Sequence, residues 1–188
     1  MLSKSSTLIK DVDFEFENTP VKMTARRNCP EIELAGLKVG PLEEGKEYEF
    51  MYWIARELEK AGIARLHEEE LLDAVKLYKI HWKERVQSAK QIASLSEDFY
   101  PRLRRYLASL RREAIGKPEK MKEYEKAVRL SRDIINCRLK KIISLASAPK
   151  QTNQTLNNLT KEERTVYEKL NATISSWRDK ILEGEDRH

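Results

Sequence analysis

From His67 to the end of this chain the apolar residues keep the spacing of helices, and that constrains the fold more than any other feature. Before Leu66, apart from one short helical segment, the apolar residues come in short alternating runs, which are typical of half-buried strands. After Leu66 they recur every three or four residues, which is typical of helices that bury one face. The sequence therefore predicts an α+β protein, with a small strand-rich α+β module over residues 1–66 and a larger all-α helical domain over residues 67–188.

The first module is predicted to be a small sheet covered by one helix. A polar leader over residues 1–11 precedes strands over residues 12–17, 21–25, 32–34 and 37–39, with residues 63–66 as a candidate edge strand. Val12, Phe14 and Phe16 alternate with acidic residues, which indicates the first strand. Residues 48–61 have helical spacing, and Gly62 stands where a left-handed C-terminal cap is expected.

Four helices are predicted in the second domain. The first covers residues 68–92, the second starts near Ser94 or Ser96, and the third runs over residues 118–148. A polar loop over residues 149–158 then leads to a capping box, Thr160 to Glu163, that opens the last helix. The first helix is predicted to bury one stripe in the core: Leu71, Val75, Tyr78, Trp82, Val86 and Ala89.

The third helix carries apolar residues on two adjacent faces. At 1.5 Å per residue it is on the order of 45 Å long, which is too long for a compact single-chain bundle. Two apolar faces require two sets of neighbours, so part of this surface is predicted to meet a partner subunit. The candidate interface residues are Val128, Ile134, Ile135, Leu139, Ile142 and Ile143, joined by Leu170, Ile174 and Trp177 of the last helix.

Positive charge is concentrated in the middle of the chain. The net charge is +5, but residues 101–150 contain 15 Lys and Arg against 5 Asp and Glu. A possible basic contact surface consists of Arg102, Arg104, Arg105, Arg111 and Arg112. Such a surface suits nucleic acid or an acidic protein, and it is equally compatible with a solvated helix face or with ion pairs to nearby glutamates.

The sequence offers no constellation for catalysis. Its 3 His residues have no metal-ligand spacing, its 2 Cys residues lie far apart, and it has no phosphate-binding loop or nucleophile motif. We therefore predict a protein that is not an enzyme, with no catalytic, cofactor or metal site. No apolar run is long enough to cross a membrane and the N-terminus lacks the apolar core of a signal peptide, so we expect no membrane contact and a cytoplasmic location.

Several segments together resemble a known family, the GINS replication complex. The resemblance rests on Gly40-Pro41, Gly45, the helix segment Trp53-Ile54-Ala55 with Leu58, the pair Gly62 and Ala64, and Asp98-Phe99-Tyr100-Pro101. The order of modules, strand-rich first and helical second, is similar to the archaeal subunit type called "two-three". Met51-Tyr52 stands where the family pattern has a Leu-Pro pair.

The resemblance implies a non-catalytic scaffold. Two copies of each of two related GINS subunits would form a 2:2 heterotetramer. That assembly would link the MCM helicase to a RecJ-like nuclease partner at replication forks, associated with the nucleoid. The alternative function is a basic helical nucleic-acid-binding module, for which DNA contact would be direct.

Overall fold

The computed structural model describes residues 2–86, 91–148 and 153–182, and the chain divides into two compact units, Met1–Leu72 and Asp73–His188. The division falls after Leu72 rather than after Leu66. The intervening residues belong to the first unit because Nε2 of His67 lies 3.0 Å from Oγ1 of Thr24 and Leu71 packs against the core of that unit.

The first unit begins with a helix, α1 (Leu2–Glu17), so the predicted polar leader and the predicted strand over residues 12–17 are both wrong. Val12 and Phe16, four residues apart, are buried, whereas Phe14 is exposed. The ring of Phe16 packs 4.7 Å from that of Tyr52. An alternating run contains apolar residues four apart as well as two apart, and here packing against Tyr52 selects the helix.

Two small antiparallel sheets follow. The first has β1 (Pro20–Ala25) at its centre, in the order β4 (Glu47–Met51), β1, β5 (Ala64–Leu66). The second pairs β2 (Ile32–Leu34) with β3 (Leu37–Val39). The strands predicted over residues 21–25, 32–34 and 37–39 and the candidate edge strand are thus confirmed.

The predicted helix over residues 48–61 is wrong at its start. Residues 47–51 form β4, which pairs with β1 so that Phe50 lies opposite Val21, and α2 (Tyr52–Lys60) begins only afterwards. The cap at its end is as predicted, because Gly62 has φ +68° and its N–H donates to the carbonyl of Glu59 at 2.9 Å.

In the second unit, all the regular secondary structure that the described residues form is helical. Its elements are α3 (Ala74–Val86), α4 (Phe99–Glu113), α5 (Pro118–Ser147), α6 (Asn153–Leu156) and α7 (Lys161–Leu182). The long helix α5 packs against α3, α4 and α7. Its extent agrees with the prediction for residues 118–148, whereas α6 lies inside the stretch predicted to be a loop, of which residues 149–152 are outside the described residues.

The first helix of this unit differs most from its prediction. In place of one helix over residues 68–92, a short 3-10 helix (Glu68–Glu70) is followed by α3, and residues 91–96 are not helical. Leu71 is half-buried, and Ala89 is outside the described residues. The rest of the predicted core stripe is exposed: Val75, Tyr78, Trp82 and Val86.

The face of α3 that is buried carries Leu77, His81 and Glu84 instead. The predicted core stripe is therefore wrong. Glu84 can occupy the inner face because two cations of α5, Arg138 and Lys141, neutralise its charge.

Candidate subunit interface and buried ion network

Arg138, near the middle of α5, is the centre of a buried polar network. Its side chain has 0% exposure, and it contacts two carboxylates. Nη1 donates to Oε1 of Glu84 at 2.6 Å, Nη2 donates to Oε2 of Glu163 at 2.6 Å, and Nε donates to Oε1 of Glu163. Two backbone carbonyls, of Ala93 at 2.9 Å and Asn158 at 3.1 Å, accept the remaining donors. All five N–H groups of the guanidinium thus have an acceptor.

A second cation balances the charge of the network. Nζ of Lys141 lies 2.8 Å from Oε2 of Glu84 and 3.1 Å from its backbone carbonyl. Two cations, Arg138 and Lys141, therefore face two carboxylates, Glu84 and Glu163. Burial of four charges is tolerable only when they neutralise one another with good hydrogen bonds, as they do here.

Tyr100 of α4 completes the network by donating its hydroxyl hydrogen to Oε1 of Glu163 at 2.7 Å. Burial and the nearby Glu163 carboxylate raise the pKa of the Tyr100 phenol well above its ordinary value. Burial alone would lower the pKa of Arg138, but the hydrogen bonds and negative charge of Glu163, with Glu84, outweigh burial and raise it. The phenol therefore stays protonated and the guanidinium charged at neutral pH.

The predicted capping box is confirmed and belongs to the same network. The Glu163 N–H donates to Oγ1 of Thr160 at 3.3 Å, and the Thr160 N–H donates to Oε2 of Glu163 at 3.1 Å. One carboxylate thus caps α7 and also binds Arg138 of α5 and Tyr100 of α4. Through Glu84 the network extends to α3, so it ties together all four long helices of this unit.

Local spacing in the sequence does not reveal this network. The signal it offers is that Arg138 stands four residues after Ile134 and four before Ile142, between two apolar residues of one face of α5. A charged residue in the middle of an apolar stripe indicates a buried ion pair, but its partners lie 54 and 25 residues away in sequence. Their identity could not be read from local spacing.

The structure separates the predicted interface residues of α5 into two groups. Ile134 and Ile142 are buried inside the unit itself. Ile135, Leu139 and Ile143 are exposed at intervals of four residues and form one surface row, which we call the α5 stripe, and Val128 is half-buried.

The predicted residues of α7 differ in exposure along the helix. Leu170 and Ile174 are half-buried, whereas Trp177 is exposed near the C-terminal end. Helix α7 runs in the same direction as α5, since Glu163 meets Arg138 and the Asn171 side chain donates to the carbonyl of Ala146. Its last turns continue past Ser147, where α5 ends, and there they are exposed.

The five arginines of the possible basic surface are not equivalent. Nε of Arg102 lies 2.6 Å from Oδ2 of Asp98, Nη2 of Arg104 lies 3.4 Å from Oε1 of Glu162, and Nη1 of Arg105 donates to a backbone carbonyl. Arg111 and Arg112, at the C-terminal end of α4, are exposed. The three half-buried arginines are thus held within the unit.

Neither a metal-binding group of side chains nor a membrane-spanning helix is found in the part of the chain that the structure describes. Within residues 2–86, 91–148 and 153–182, no three His, Cys, Asp or Glu side chains are grouped so that they could hold a metal ion. None of the helices in those ranges combines the length and the apolar character needed to cross a membrane.

A comparison with protein families identifies the helical unit. The profile of the GINS complex protein helical bundle domain (Sld5) matches residues 71–182, which is more than half of the chain. A comparison with curated proteins finds no match. The match spans α3 to α7 and so includes the four helices that the buried network joins. The chain therefore belongs to the GINS family and is a subunit of a replication-related GINS complex.

Proposed function

We propose that this chain is an archaeal GINS subunit of the "two-three" type and acts as a non-catalytic scaffold. The observation that carries the proposal is the order of the two units. A unit with two small sheets, Met1–Leu72, precedes the GINS helical bundle matched at residues 71–182. That order is the one implied by the sequence resemblance for the "two-three" type.

The exposed apolar rows of the helical unit support assembly into a 2:2 heterotetramer with a second type of GINS subunit. The α5 stripe and Trp177 leave apolar side chains in water that a stable monomer would be expected to cover. Interfaces of permanent complexes resemble a protein core divided in two and need such surface. We assign the α5 stripe and the exposed end of α7 to this interface.

The scaffold would connect the MCM helicase to a RecJ-like nuclease partner at the replication fork. The charged groups of the buried network support a structural rather than a catalytic role, because Arg138, Lys141, Glu84 and Glu163 neutralise one another and are closed off from solvent. For the alternative, a basic nucleic-acid-binding module, only Arg111 and Arg112 of the five predicted arginines are exposed.

Binding measurements with purified components separate the two functions. The chain, assembled with its second subunit, is immobilised and exposed to purified MCM helicase and to the RecJ-like nuclease. The scaffold function predicts that both are retained. The alternative predicts that neither is retained and that the chain alone binds DNA in a filter assay, with an affinity that falls steeply as salt is raised.

A further inference from the structure

The exposed side of α3 combines apolar and cationic side chains in an ordered pattern. Val75, Tyr78, Trp82 and Val86 are spaced by three, four and four residues, so they form one row along the helix. Lys79, Lys83 and Arg85 are exposed beside that row. We call these seven residues the α3 outer face.

The charge of this face has one sign. Helix α3 contains one acidic residue, Glu84, and that residue points inward to Arg138 and Lys141. Lys79 and Lys83 lie on one side of the apolar row and Arg85 on the other, given 3.6 residues per turn. Among the described residues none of these three cations forms an ion pair. The apolar row is thus bordered on both sides by unneutralised positive charge.

The α3 outer face is separate from the surface assigned above to the partner subunit. Helix α3 contacts the side of α5 that carries Lys141, which bonds to Glu84. Leu139 of the α5 stripe stands two residues before Lys141, about 160° around a helix of 3.6 residues per turn. One flat partner surface cannot cover both rows, so the α3 outer face stays open to an occupant other than the subunit that covers the α5 stripe.

The apolar area is large enough to matter. Tyr78 is 56% exposed and Trp82 is 60% exposed. At roughly 200 Å² for a whole aromatic side chain, these two rings leave about 230 Å² in water, before the two valines are added. The largest apolar patch on a soluble monomer is typically a few hundred Å² and is often functional.

We propose that the α3 outer face binds an amphipathic protein helix whose apolar row is flanked by Asp and Glu. Side chains repeating every three and four residues on one helix are the anchors with which helices dock in grooves or pair with each other. Cations on both sides of that row select a partner that carries carboxylates at the facing positions. This inference does not depend on which type of GINS subunit the chain is.

Two other occupants fit the face less well. In a symmetric dimer each copy would present the same patch, so Lys79, Lys83 and Arg85 would face the same cations of the other copy. Single-stranded DNA stacks its bases on aromatic rings, but half of this row is valine, which provides no ring for stacking. A protein helix uses all four apolar side chains and all three cations.

The test uses the full chain and a fluorescein-labelled peptide of three heptads with Leu at positions a and d and Glu at e and g. The glutamates prevent the peptide from pairing with itself. A control peptide has Lys in place of each Glu, and a labelled oligo(dT) serves as the nucleic-acid probe. Binding is followed by fluorescence anisotropy, for the wild type and for W82A, K79E/K83E and F14A. Phe14, on α1, is 72% exposed and lies outside the subunit interface, so it is the aromatic control for Trp82.

We expect the acidic peptide to bind at least ten-fold more tightly than the basic one. W82A should weaken that binding at least ten-fold, F14A should leave it unchanged, and K79E/K83E should reverse the preference between the two peptides. All four substituted positions are exposed, so circular dichroism should show unchanged helical content.

Three results would overturn the proposal. The first is an affinity for the acidic peptide that W82A and K79E/K83E leave unaltered. The second is that the chain does not bind the acidic peptide but binds oligo(dT), and that W82A weakens the binding of oligo(dT). The third is self-association by sedimentation equilibrium that W82A abolishes, which would assign the face to a second copy of the chain.

Discussion

Nη2 of Arg138 on α5 lies 2.6 Å from Oε2 of Glu163 on α7, and both side chains are buried. The guanidinium also binds Glu84, so one cation stands between two carboxylates that would otherwise repel each other. The helical unit is therefore held by an arrangement in which no single charge can be removed without leaving another uncompensated.

Replacing Arg138 with Met should destabilise the chain by about 3–5 kcal/mol, because Glu84 and Glu163 would share only the charge of Lys141. Chemical denaturation followed by circular dichroism measures this loss. Arg132 is exposed on the same helix and provides the matched control, for which R132M should change the free energy of unfolding by no more than about 0.5 kcal/mol.

The double variant R138M/E163Q tests the charge argument itself. Removing the Glu163 charge together with that of Arg138 leaves Glu84 paired with Lys141. The double variant should consequently be more stable than the sum of the two single losses predicts, by at least about 1 kcal/mol. Strictly additive losses would mean that the two side chains act independently and that the network is not a unit.

Thr160 should contribute to stability through the cap of α7. T160A removes the acceptor of the Glu163 N–H and is expected to cost about 1 kcal/mol of stability. T173A, in the exposed middle of the same helix, should be neutral or slightly stabilising, because Ala has the higher helix propensity. A loss in T160A no larger than that in T173A would contradict the assignment of Thr160 to the cap.

Alkaline pH should weaken the fold through Tyr100. Burial, and then the Glu163 carboxylate, raise the pKa of this phenol above its ordinary value near 10. Below about pH 10 the phenol is protonated in both the folded and the unfolded chain, and its contribution to stability is complete. Above that pH the unfolded chain loses the proton while the folded chain keeps it, so the free energy of unfolding falls by about 1.4 kcal/mol per pH unit.

Urea unfolding at several pH values between 8 and 12 measures this slope. Y100F should start about 1.5–3 kcal/mol less stable at pH 8, because it loses the hydrogen bond to Glu163, and should then decline less steeply than the wild type. Parallel curves for the two proteins would contradict the assignment, since other titrating groups are common to both.

The α5 stripe should control assembly without controlling folding. I143D places a charge in the proposed interface and should weaken association with the second subunit at least ten-fold, while helical content is retained. I115D is the matched control, because Ile115 is also exposed but lies after the end of α4. A charge at the buried Ile134 would unfold the chain and is not informative about assembly.

Local sequence patterns predicted correctly the elements that are determined by residues close together in the sequence. The strand over residues 21–25, the cap at Gly62, the capping box at Thr160 and the long helix α5 each depend on residues a few positions apart. They failed where one spacing fits two structures: Val12 and Phe16 fit a strand and a helix equally, and the distant Tyr52 decides between them.

The predicted inner face of α3 is the exposed one, and here too residues distant in sequence decide between the two faces. Hydrophobicity alone places Tyr78 and Trp82 inside and Glu84 outside, and the structure has the reverse. The energy that decides comes from Arg138 and Lys141, more than 50 residues later in the chain, whose charges Glu84 neutralises. A subunit of a larger complex needs exposed apolar rows to contact its partners. A single sequence does not show whether such a row is buried in the chain's own core or covered by a partner.

The mass of the complex formed with the second GINS subunit shows whether this chain assembles as a scaffold subunit. The two proteins are co-expressed, purified together and measured by light scattering coupled to size exclusion. A 2:2 heterotetramer predicts a single species whose mass equals two copies of this 22.0 kDa chain and two of its partner. A stable monomer of this chain that does not co-purify with the partner, at micromolar concentration and with its helices intact, would contradict it.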